Sequence, residues 1–136
     1  MSEKNYQYYL DTLNNEKLPA LVLDFDLFEK NLEEVLKKAN GKKIRMASKS
    51  IRSVDIIKKI LNKSPQFEGV LCYCIDEALL LSENGIDNLL VAYPALQKDG
   101  IDKVVEKTKK GKLIVLMVDH IEQIKIIGSA LNNFGI

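Results

Sequence analysis

Several kinds of residue are scarce in this 136-residue chain, and each scarcity closes a route. There is one histidine, His120, and two cysteines, Cys72 and Cys74. The cysteines sit one residue apart, too close for an ordinary structural disulfide, and with a single imidazole they are too few for a zinc framework. One histidine with no serine partner also leaves no hydrolase triad. The seven glycines form neither GxGxxG nor GxxxxGK, so no phosphate loop is written in the sequence. Uncharged runs such as 113–118 are far shorter than the roughly 20 residues that span a bilayer. The opening Met1-Ser2-Glu3-Lys4-Asn5-Tyr6 lacks the apolar centre of a signal peptide. A reduced, cytoplasmic setting without membrane contact is the resulting expectation. Charge of one sign is also missing: 20 Lys+Arg stand against 19 Asp+Glu, a net +1. No whole-protein field therefore steers a polyanion, and a nucleic-acid partner is not expected.

What is present is apolar material, 46% of residues, enough for a core and too much for disorder. It is organised in five short runs at 20–25, 43–48, 69–74, 88–93 and 113–119, each followed by a polar turn and a segment of helical period. That spacing leaves room for a three-turn helix and two loops, the βαβ signature. The runs are nearly continuous (Leu21-Val22-Leu23, Leu89-Leu90-Val91), which predicts parallel strands buried on both faces. Leu27, Asn31, Leu32, Val35, Leu36 and Ala39 form one stripe of the first helix after these runs begin. Asp26 with Glu29, and Asp119 with Glu122, have capping-box spacing; Ser53 is a third N-cap, and Gly41 and Gly85 stand where helices should stop. Residues 1–17 read as a polar, Tyr-rich arm or helix, and 18–136 as one βα domain.

Five parallel βα units admit a five-stranded flavodoxin-like sheet or an incomplete (β/α)8 TIM barrel. Length alone favours the former, because a complete barrel takes about 250 residues. In both, reactive groups collect at the C-terminal ends of strands: Asp24-Phe25-Asp26, Ala47-Ser48-Lys49-Ser50, Cys74-Ile75-Asp76-Glu77, Tyr93-Pro94 and Asp119-His120. Arg45, Ala47 and Lys49 share one strand face. Lys49 is then either a solvated loop lysine or an amine standing over a crevice. Partial burial and a cationic Arg45 beneath it would favour the free amine that forms imines.

The remaining groups divide in the same way. Ten basic residues between Lys37 and Lys63 face one acid, Asp55, with no interleaved aromatic to stack a base, so they read as a solvated face or a phosphate-attracting rim. Cys72 and Cys74 project to one strand face and read as packing. Tyr93 either places a phenol over the crevice or simply precedes a strand-ending proline.

Leu18-Pro19-Ala20-Leu21-Val22-Leu23-Asp24-Phe25-Asp26 with Asn31 resembles the opening of the alanine racemase-like N-terminal domain, the barrel of fold-type III pyridoxal-phosphate enzymes. Arg45-Met46-Ala47-Ser48-Lys49-Ser50-Ile51-Arg52-Ser53 is similar to the cofactor-lysine segment of that family's D-threonine aldolase and D-serine dehydratase branch. Glu68-Gly69-Val70-Leu71-Cys72, Glu77-Ala78 and residues 85–94 follow in the family's order. The likeness runs from about Leu18 to Asp119, and the ordered set is what makes it specific.

The resemblance reverses the preference drawn from length and implies a partial TIM barrel. It further implies that Lys49 forms the internal aldimine with pyridoxal 5′-phosphate, that Arg45 and Tyr93 line the cofactor pocket, and that the substrate is a D-amino acid. The implied reaction is that of a lyase, by aldol cleavage or by deamination and dehydration; racemisation on the same fold and non-catalytic cofactor carriage are alternatives. Family members continue through three more barrel units and a metal-binding β domain, and full-length forms are expected to be homodimers. The chain thus reads as a truncated, N-terminal part, with little turnover expected of it alone and no metal site of its own.

Overall fold

The computed structural model describes residues 4–135. The elements follow one another as α1 (Tyr6–Thr12), α2 (Phe25–Ala39), β1 (Ile44–Ala47), a 3-10 turn (Ser48–Ser50), α3 (Val54–Lys63), β2 (Phe67–Cys72), α4 (Ile75–Glu83), β3 (Leu89–Val91), α5 (Lys98–Lys109), β4 (Ile114–Leu116) and α6 (Ile121–Asn133). The chain divides into two compact units between Glu34 and Val35, within α2. Among the described residues no helix is long and apolar enough to cross a membrane.

In the first unit residues 20–24 form no strand and Phe25 already belongs to α2, so among the described residues there are four strands where five were expected. The cause is local. The Asp24 carboxylate accepts from the backbone N–H groups of Asp26 (3.0 Å) and Leu27 (3.1 Å), which makes Asp24, not Asp26, the residue that starts α2. The same carboxylate accepts from the Lys4 amine (2.8 Å) and the Tyr9 hydroxyl (2.8 Å). Asn5 caps α1 by accepting from the Tyr8 N–H.

In the second unit four parallel strands pair in the order β1-β2-β3-β4. Ala47 is level with Leu71, and Leu71 with Leu90, which is level with Val115. This order decides between the two architectures. In a flavodoxin-like sheet the first run would lie between the second and third. Here the second and third runs pair directly, as successive strands of a barrel do.

Coverage of the sheet also departs from expectation, because one face is buried and the other is not. Met46, Val70, Cys72, Leu89 and Val91 are buried, whereas the alternating residues Arg45, Ala47, Leu71, Leu90 and Val115 are partly or largely exposed. Helices therefore cover one side only, with Ile57, Ile60, Ala78, Leu81, Ile101, Val104 and Val105 supplying the apolar layer. The uncovered side corresponds to a barrel's inner wall. The helix-side packing loosens at β4, where α5, β4 and α6 leave an apolar cavity of about 410 Å³.

Helix ends in this unit follow rules legible in the sequence. Ser53 caps α3 by accepting from the Ile56 N–H. Gly41, Gly85 and Gly111 take φ near +80° just beyond α2, α4 and α5. At α6 the cap is His120, whose Nδ1 accepts from the Glu122 N–H at 3.2 Å. The expected Asp119–Glu122 box is replaced by a reciprocal pair in which Asp119 accepts from the Gln123 amide and donates its N–H back to it.

Candidate active site

Strand ends set the positions from which chemistry can be done. β1 stops at Ala47, and the chain tightens at once into the 3-10 turn. Ser48 is fully buried and its hydroxyl donates to the Leu71 carbonyl at 3.1 Å, which pins the turn to β2. The N–H groups of Ile51 and Arg52 both return to the Ser48 carbonyl at 2.9 Å, and the Arg52 Nε donates to the Lys49 carbonyl at 3.4 Å. Arg52 takes φ +48° to close the turn. The Lys49 backbone is thus held firmly while its side chain is exposed at the C-terminal end of the sheet. Its immediate neighbours are small, with Ser48 before it and Ser50 after it. Lys49 is therefore not sheltered in the way that partial burial would require.

Arg45 lies on the same side of the sheet but serves its opposite end. Its guanidinium donates to the Asn88 carbonyl (2.5 Å), the Asn88 side-chain oxygen (2.7 Å) and the Val70 carbonyl (3.4 Å). Asn88 immediately precedes β3, so this charge sits where the strands begin and Lys49 where they end. Gly69 makes the approach possible: a Cβ there would lie 2.2 Å from the Asn88 carbonyl oxygen and 2.8 Å from the Arg45 Nη1. The structure does not bring Arg45 and Lys49 together as a cation beneath an amine.

Tyr93 does stand at the C-terminal end. The ladder's last bond there runs from the Ala92 N–H to the Cys72 carbonyl at 2.8 Å, and Tyr93 follows it directly. Beside it is a residue the sequence reading passed over. Tyr73, one position past β2, meets the Tyr93 ring at 5.2 Å between centroids, tilted by 63°. The signal was available, since Gly69, Leu71 and Tyr73 share a strand face and Leu71 is level with Ala47.

Cys72 and Cys74 part company rather than sharing a face. Cys72 ends β2 fully buried, and burial, with the nearby Glu77 and Cys74 adding to it, pushes its thiol up to about 12. Cys74 is exposed and caps α4 from beyond the strand, where the pleat no longer applies. Among the described residues no group of three His, Cys, Asp or Glu side chains is arranged to hold a metal ion.

The architecture is similar to the crystal structure of D-threonine aldolase from Filomicrobium marinum, with a TM-score of 0.78 and 25% sequence identity. The match covers 88% of this chain and 32% of that one, so the chain spans about a third of that protein's length. No protein-family model matches the chain, and no curated protein matches it in sequence.

Proposed function

We propose that this chain is the N-terminal part of the barrel of a pyridoxal-phosphate-dependent enzyme acting on D-amino acids, with Lys49 as the residue that anchors the cofactor. The observation that carries the reading is the placement of Lys49. It is an exposed amine on a pinned turn directly after a strand of a sequentially ordered parallel sheet, the end at which barrel enzymes build their sites. Similarity to a D-threonine aldolase supports the choice of cofactor and substrate class.

The residues present suit part of such a group. Lys49 offers the primary amine, its small neighbours leave space for a ring, and the Tyr73–Tyr93 pair offers an aromatic wall at the same end of the sheet. When bound, pyridoxal 5′-phosphate supplies an electron sink for the negative charge that develops at Cα of an amino acid. Lys49 would hold that group through its amine, and its Nζ would be the base that takes or returns the Cα proton. Ser48 contributes by fixing the turn, since its hydroxyl is committed to the Leu71 carbonyl. Arg45 lies on the inner wall below and acts by holding β1, β2 and the start of β3 in register.

The test is chemical trapping. Incubating the chain with pyridoxal 5′-phosphate, reducing with borohydride and mapping peptides should place the label on Lys49. Label spread over exposed lysines such as Lys42, Lys98 and Lys103, with none enriched at Lys49, would overturn the assignment.

A further inference from the structure

Tyr73 and Tyr93 leave about half of each side chain in water, 54% and 52% exposed, although they lie on the ordered end of a parallel sheet. Aromatic surface is normally buried, and these rings touch each other edge to face instead of packing into the core. Their backbone is not loose. The Tyr73 N–H donates to the Glu77 carboxylate at 2.6 Å, and the Ala92 N–H beside Tyr93 donates to the Cys72 carbonyl. The pair is therefore a fixed aromatic surface facing solvent.

Register relates that surface to Lys49. Ala47 is level with Leu71, and Leu71 with Leu90. Lys49 stands in the 3-10 turn that follows β1, Tyr73 one residue past β2, and Ala92 and Tyr93 directly past β3, so all four lie at the C-terminal ends of three adjacent strands. Ser48, bonded to the Leu71 carbonyl, keeps the turn alongside β2 as the ladder ends. Adjacent strands are about 4.8 Å apart, less than a lysine's four-carbon stem and amine can span.

We propose that Tyr73, backed by Tyr93, is the wall against which the planar ring of a pyridine aldehyde held by Lys49 packs. This rests on the reading of Lys49 as the anchor. Tyr73 is a positioning residue: its ring restricts the tilt of the bound group, and Tyr93 restricts the ring of Tyr73. Neither phenol is asked to move a proton.

The experiment uses the 136-residue chain, pyridoxal 5′-phosphate as the probe, and the variants Tyr73→Leu, Tyr73→Phe and Tyr93→Leu. Two quantities are read: the concentration that half-saturates borohydride-trapped label at Lys49, and the visible circular dichroism of the bound chromophore. The expected result for Tyr73→Leu is retained labelling at Lys49, a half-saturating concentration raised about fivefold, and a largely lost dichroic band. Tyr73→Phe, which keeps the ring and removes only the hydroxyl, should restore both, and Tyr93→Leu should fall between. Unchanged affinity and dichroism in Tyr73→Leu, with Lys49 still labelled, would overturn the aromatic wall alone. Failure of the unsubstituted chain to label Lys49 would overturn the anchor and the wall with it.

Discussion

Gly69 shows how much of the sheet's entry depends on a single missing side chain. It sits in β2 level with Arg45, at φ +153°, and the space its Cβ would occupy is already taken by the Asn88 carbonyl and the Arg45 guanidinium. Asn88 is itself at φ +55° and also donates to the Glu68 carbonyl. Any side chain at 69 must displace backbone, which packed interiors resist. Gly69→Ala should therefore cost about 3 kcal/mol, read as a lowered urea midpoint. An unchanged midpoint would mean that the three-residue latch is not a feature of the folded chain. The latch also shows what the sequence hid. Arg45 was legible as a residue on the Ala47 face of β1, and it does lie there, whereas Lys49 falls in the 3-10 turn beyond the strand. The end its guanidinium would serve was not legible, because its partner Asn88 lies 43 residues away.

Helix starts expose the same boundary between local and distant information. Ser53 was readable as a cap because its partner is three residues on. For α2, two aspartates two residues apart both meet the local requirement. What selects Asp24 is its set of partners 15 and 20 residues back, Tyr9 and Lys4. Those partners make the cap pH-sensitive in a defined sense. The Lys4 amine, then the Leu27 N–H and the Tyr9 hydroxyl, hold the Asp24 carboxyl well below the usual carboxylate range. The Asp24 and Asp26 carboxylates hold the Lys4 ammonium well above the usual lysine range, and Asp24 raises the Tyr9 phenol. A depressed carboxylate stabilises the fold fully above its unfolded value, about 3.9, and loses that contribution as pH falls below it. A raised lysine stabilises fully below about 10.4 and loses that contribution as pH rises through its folded value. The arrangement around Asp24 is thus strongest between roughly pH 4 and pH 10. Asp24→Asn, which can still cap, should flatten the acid side of the melting-temperature profile while keeping helical circular dichroism. Asp24→Ala should also lose helical signal at neutral pH. Equal profiles for Asp24→Asn and the unsubstituted chain would show that the Lys4 pairing adds nothing.

At the scale of the molecule, parallel strands with helices between them were legible from period and spacing, whereas the arrangement of those helices was not. Continuous apolar runs such as Leu89-Leu90-Val91 carry no alternation, so nothing in them says which face is covered. The information lies in strand order and in where the helices land, both of which depend on pairings 19 to 25 residues apart. A doubly wound sheet would bury Leu89 and Leu90 alike, on opposite faces. The sequential sheet buries Leu89 completely against helices and leaves Leu90 on the inner wall, only half-covered. Two identical truncations at adjacent positions therefore separate the architectures. Leu89→Ala opens a cavity in the packed layer and should cost about 3 kcal/mol. Leu90→Ala removes methyl groups already partly in water and should cost no more than about 1 kcal/mol. It should also reduce binding of a hydrophobic dye, because the inner wall loses apolar area. Urea midpoints at equal slope give the comparison directly. Equal losses at the two positions would mean that both faces are covered, and the one-sided, barrel-like sheet that places Lys49 at an open mouth would fall with that result.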